Sequence, residues 1–164
     1  MESDIENALV QHRNGIVKYC YSLLLDYHEA QDAAQDVALV AVKKAKSLRD
    51  VSAVNAWLYR IAYNLCMNKI RRKKLFNLFL QKETVVLNPP IHEDCYNFGV
   101  SPALVAALET LSHKDRALVY HRAVDGLEYI QLEAIYNIKA ATLRKRYERA
   151  RKKLENTLTP TMKG

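Results

Sequence analysis

Glycine and proline are scarce, four of each in 164 residues. Chains made of many short strands spend those residues on their turns, so the scarcity argues for helices. The three cysteines, Cys20, Cys66 and Cys95, are far apart, odd in number and without CxxC spacing. That argues against a disulfide framework or a structural zinc site and for reduced thiols in the cytoplasm. No segment approaches the roughly 18 uninterrupted apolar residues that a membrane span needs. The acidic start, MESDIENALV, lacks the basic region of a secretory signal. Also missing are carboxylates clustered at metal-ligand spacing, a Ser/His/Asp arrangement and a phosphate-binding glycine loop, so no enzyme and no cofactor is indicated. His92, Glu93 and Asp94 precede Cys95 in a stretch that reads as a linker. A metal or redox role there stays open beside the plainer reading of a solvated polar cluster.

What the chain does have is positive charge in one place. The net charge is +7 and the sequence pI about 9.3. From Lys139 to Lys153 there are eight basic residues and one acid, so this stretch carries the whole of the net charge. Its sequence, KAATLRKRYERARKKL, puts Leu143, Tyr147, Ala150 and Leu154 on one stripe of a helix and Arg144, Lys145, Arg149 and Lys152 on the other faces. Clustered Lys and Arg gain from counterion release on nucleic acid, and an anionic membrane surface offers the same charge. The rest alternates by block. Residues 1–38 hold seven acids and two bases, 39–74 ten bases and one acid, and 75–138 eight acids and four bases. Two basic surfaces are expected, one in each half.

In chain order, Ser3 with Glu6 has capping-box spacing for a first helix, and Gly15 reads as a kink or short break. Asp26 with Glu29 marks a second start. The helix after it would bury Ala30, Ala33, Ala34, Val37, Val40 and Ala41, leaving Asp32, Gln35 and Asp36 on a polar face. Residues 47–56 read as a loop. The next helix, WLYRIAYNLCMNKIRRKK, has Leu58, Ile61, Ala62 and Leu65 as its buried stripe, with Tyr59, Arg60, Tyr63 and Asn64 off it and Arg71 and Arg72 in its basic end. Aromatics interleaved with cations suit single-stranded DNA, rings stacking on bases while cations hold phosphates. Equally, the tyrosines fit as edges of the core and the basic run as a complement to the helix dipole.

Periodicity fades after the apolar patch 75–80, and 81–101 reads as a flexible linker that, extended, could span up to about 90 Å. Ser101-Pro102 then opens a helix, Ser112 with Asp115 caps another, and Gly126 ends it. A short helix, LEYIQLEAIY, runs to Asn137, which tolerates the positive φ of a tight turn. The basic helix follows directly. Helix, short turn, basic helix is the helix-turn-helix pattern, whose second helix enters the major groove. The expected fold is all-α: two small helical domains, 1–80 and 102–164, joined by a flexible linker at 81–101.

Three motifs in order, Ala30-x-Asp32-x-x-Gln35-Asp36-Val37, WLYRIAYN from Trp57 to Asn64 followed by Arg71-Arg72, and Gly126 to Leu154, resemble the extracytoplasmic-function group of bacterial RNA polymerase sigma factors. The resemblance spans about Ala8 to Leu158. It implies a noncatalytic subunit with core RNA polymerase and promoter DNA as partners, an anti-sigma factor holding it inactive, and no direct membrane insertion. Asp32, Gln35 and Asp36 would dock on the polymerase. Asn64, with Tyr59, Arg60, Tyr63, Arg71 and Arg72, would read and open the −10 element. Thr142, Arg144, Lys145 and Arg149 would read the −35 element. Ala38 stands where the family usually has a bulky aromatic, and Asn137 where it has a turn glycine. Glu133 stands where an alanine usually faces the partner helix; buried alone it would be costly, which calls for a rotated helix or a pair with Arg144 or Arg146. The rival reading is a stand-alone helix-turn-helix regulator that binds duplex DNA as a dimer, which leaves the Asp32–Asp36 face and the aromatic-basic helix without a task.

Overall fold

The computed structural model describes residues 2–80 and 101–162, with side chains described over 3–80 and 101–158. All regular structure among them is helical. The first half is a three-helix unit: α1 (Glu2–Leu24), α2 (Tyr27–Lys43) and α3 (Val54–Phe79). The second half has α4 (Pro102–Glu109), α5 (His113–Val119) continuing into one wider π-turn (Tyr120–Val124), α6 (Tyr129–Tyr136) and α7 (Ala140–Met162).

The caps explain most of the boundaries. Asp26 accepts from the Glu29 N–H at 3.0 Å and starts α2, while Ser101 and Ser112 accept from Leu104 and Asp115 to start α4 and α5. Gly126 (φ 65°) follows the π-turn, and Asn137 (φ 55°, ψ 42°) ends α6 in the left-handed conformation. Two expectations at the N-terminus do not hold. α1 already runs from Glu2, so Ser3 lies within the helix and does not cap it. Nor does Gly15 break α1; a Cβ there would sit 2.9 Å from the Tyr59 hydroxyl, so glycine serves close packing. The stretch 44–53 is a pair of short 3₁₀ turns. α3 continues through the apolar patch to Phe79, leaving Leu75, Phe76, Leu78 and Phe79 exposed.

α2 buries Ala30, Ala33, Val37 and Ala41 against α1, small residues that allow close helix approach. Cys20 and Cys66 are free and buried in the same unit; the hydrogen bond between them, then burial, pushes the Cys20 thiol well up. Cys95 and its acidic neighbours lie outside the described residues, as does the linker. Among the described residues there is no His, Cys, Asp and Glu cluster fit for a metal and no helix long and apolar enough to cross a membrane.

The two halves pack on each other. Ala117, Leu118, Leu132, Ile135 and Leu143 of the second half join the cluster built by Ile16, Tyr19, Leu58 and Ala62 of the first. A smaller cluster, Ala107, Leu111, Ala150 and Leu154, holds α4 to α7.

Candidate DNA and polymerase surfaces

α7 buries Leu143, Ala150 and Leu154 and half-buries Tyr147, which is the expected stripe. Its outward face is therefore set: Thr142, Arg144, Lys145 and Arg149 are all exposed. The other cations of the helix are partly neutralised. Arg146 turns inward to Asp115 at 3.5 Å, and Arg151 is held between Glu148 (3.0 Å) and Glu155 (3.1 Å). Among the described residues Arg144, Lys145 and Arg149 make no ion pair. The Arg144 guanidinium lies 5.2 Å from the centre of the Tyr129 ring, and Arg122 lies 4.8 Å from the same ring. Glu133 is only half-buried, so no isolated charge is forced into the core; Arg146, one of its two expected partners, is spent on Asp115.

On α3, Arg60, Asn64, Arg71 and Arg72 are exposed, and Arg71 donates to Asn68 at 3.5 Å. The tyrosines lie at the core, the second of the two placements open to them from the sequence, with Tyr59 buried outright and Tyr63 at the edge. Tyr59 is 4% exposed, edge-on to Tyr19 (5.2 Å) and to His121 (4.5 Å). Burial, with the nearby Asp125, drives its phenol far above the ordinary range. Tyr63 is half-buried with its ring edge-on to Tyr136 at 5.0 Å. In this arrangement Tyr59 is closed to a base and Tyr63 is partly covered. Tyr59 and Cys66 join the buried stripe of α3, while Ile61 and Leu65 are only half-buried.

On α2, Asp32 and Gln35 are exposed, and Asp36 is half-buried beside Lys69 of α3 at 3.3 Å. Glu29 reaches Lys73 at 3.4 Å. Next to Gln35, a groove of about 770 Å³ opens between α1 and α2, lined by Leu9, Arg13, Val17, Gln31 and Ala38 among others. The methyl of Ala38 leaves room there that a bulky aromatic would fill.

Sequence reasoning missed the joint between the halves. The His121 ring stacks on Tyr19 at 4.1 Å, and Tyr136 bonds both His121 Nδ1 (2.6 Å) and the Tyr19 hydroxyl (3.0 Å). Tyr19 and Tyr136 are 117 residues apart, and only Tyr136 lies in a motif, so no local signal paired them.

A two-part helical chain whose last helix presents a basic, outward face over a short turn defines a DNA-binding transcription protein of the helix-turn-helix class. The sigma-70 region 2 family matches residues 9–76 and the sigma-70 region 4 family residues 101–154. The ECF RNA polymerase sigma factor SigW of Bacillus subtilis is 28% identical over 159 residues, covering 90% of this chain and 84% of that one. The ECF RNA polymerase sigma-E factor of Escherichia coli is 27% identical over 168 residues, covering 96% and 88%. The fold is that of the sigma factor RpoE from Bartonella quintana, solved in complex with the anti-sigma factor NepR: TM-score 0.76, 23% identity, 95% of this chain and 97% of that one. The chain belongs to the extracytoplasmic-function group of RNA polymerase sigma factors. It is a non-enzymatic subunit that directs core RNA polymerase to promoters.

Proposed function

We propose that the two halves divide promoter recognition between them. Residues 1–80 bind core polymerase through Asp32, Gln35 and Asp36 and read the −10 element with Asn64, Arg60, Arg71 and Arg72, joined by Tyr59 and Tyr63 once these are uncovered. Residues 102–164 read the −35 element with Thr142, Arg144, Lys145 and Arg149, and 81–101 joins them. The observation that carries this reading is the sorting of charge on α7: Arg146 and Arg151 are tied up, while the other cations and Thr142 stand exposed opposite the buried stripe. Arg is suited to bidentate readout of guanine, while Lys on phosphate adds mainly salt-dependent affinity.

The protein acts in the cytoplasm, where promoters are, and an anti-sigma factor is its natural antagonist. The test of the polymerase contact is competition for core enzyme. Asp32→Arg with Gln35→Ala should lose core binding while retaining duplex −35 binding. Unchanged core affinity would remove α2 from the polymerase surface.

A further inference from the structure

We propose that Tyr129 is a positioning residue for −35 readout: its ring aims the Arg144 guanidinium at the base edge before DNA arrives. The inference deepens the reading of Arg144 as a −35 base contact and rests on it.

Of Arg144, Lys145 and Arg149, Arg144 alone is given a direction by a neighbouring element. Its guanidinium lies over the Tyr129 ring, 5.2 Å from the ring centre. Among the described residues Lys145 and Arg149 have no such ring. Tyr129 opens α6, the helix before the turn, so the contact ties a side chain of the outward helix to the helix that supports it.

The ring is itself held. The Glu128 N–H donates to the Gln131 side chain at 2.9 Å, one half of a capping box that fixes the start of α6 at Tyr129. Tyr147 of α7 meets the Tyr129 ring edge-on at 6.5 Å. Arg122 lies over the same ring at 4.8 Å and donates to the Leu127 carbonyl at 3.2 Å. The Leu127 N–H in turn donates to the His121 carbonyl at 3.0 Å, so the chain leading into Tyr129 is pinned on both sides of that peptide.

A ring orients a guanidinium in a way that a carboxylate cannot. Arg146 and Arg151 are paired with Asp115, Glu148 and Glu155, which neutralise them and occupy their N–H donors. A π face attracts the cation without neutralising it and leaves its fork of N–H donors for a base edge. A bidentate bond to guanine needs one pose of a long, flexible side chain, and fixing that pose counts against binding unless it is already favoured. At an exposed site the ring contact favours it by about two- to fivefold.

The test is run-off transcription by holoenzyme assembled from core polymerase and the full chain, on promoters carrying each single-base change in the −35 element. The readout is the ratio of transcripts between bases at one position, which does not depend on the fraction of protein that is folded. Arg144→Ala first identifies the position that Arg144 reads. Tyr129→Leu should relax preference there by about two- to fivefold, leave the other positions unchanged, and add nothing in the Arg144→Ala background. Tyr129→Phe, which keeps the ring, should restore the preference. Relaxation spread evenly over the element would overturn the proposal, as would a Tyr129→Phe chain that behaves like Tyr129→Leu or a Tyr129→Leu chain with full preference. Failure of the underlying reading looks different: Arg144→Ala would then relax no position, and the positioning role would fall with it.

Discussion

His121 lies flat on Tyr19, ring centres 4.1 Å apart and planes within 16°, and each residue comes from a different half of the chain. The Tyr136 hydroxyl lies 3.0 Å from that of Tyr19 and 2.6 Å from His121 Nδ1, while His121 Nε2 faces Asp125 at 3.9 Å. A protonated imidazole would donate from both ring nitrogens, with only the Tyr136 hydroxyl within hydrogen-bond distance to accept.

The joint should therefore loosen in acid. Burial pushes His121 down to about 3, whereas in separated halves it would return toward its ordinary value of about 6.5. A depressed histidine favours the packed form fully above the higher value and loses that contribution as pH falls through it. From pH 7.5 to 5.5 the ratio of open to packed molecules should rise about tenfold. The groups facing His121 are Tyr19 from α1, Tyr59 from α3, Tyr136 from α6, and Tyr120 and Asp125 beside it; the buried tyrosines are raised and stay protonated, so Asp125 alone can oppose the effect. Scattering or an intramolecular distance probe across this pH range checks it. His121→Gln should flatten the response, and a wild type that is equally packed at both pH values would contradict it.

Gly15→Ala tests the close approach of α1 and α3. Helix propensity favours alanine by about 1 kcal/mol. The added methyl would stand 2.9 Å from a hydroxyl whose ring is wedged between Tyr19 and His121, so Tyr59 must shift. Urea unfolding should show a net loss of about 1 to 2 kcal/mol. A gain would mean that Tyr59 moves freely.

Asn137 sets the angle between α6 and α7 by adopting φ 55°. Asn137→Gly should be close to neutral. Asn137→Ala should cost about 1 kcal/mol, or about 2 to 4 °C in Tm, because a Cβ without asparagine's local hydrogen bonding is strained there. Equal melting temperatures for the two variants would refute the strain argument.

The fold was legible where capping and periodicity are local. Asp26, Ser101, Ser112, Gly126 and Asn137 each sit where their side chains or backbone freedom dictate, and the α7 stripe follows from spacing alone. Ser3 failed as a cap because the helix forms upstream of it. Tyr59 lies off the apolar stripe and is buried all the same, because its neighbours are supplied by α1 and by the π-turn, and no period of 3.6 within α3 records which face meets a partner about 60 residues away. Pairings such as Tyr19 with Tyr136 are tertiary facts, set by how the halves meet.

The most direct test of the account is run-off transcription from a library of promoter fragments by core polymerase, with wild type, Asn64→Ala and Arg149→Ala compared. Specific transcripts should require the protein. Arg149→Ala should lose about ten- to a hundredfold at promoters that depend on the −35 element, and Asn64→Ala should shift the preferred −10 sequence. If both substitutions reduced every transcript equally, whatever its sequence, the assignment of base readout to these two surfaces would be wrong.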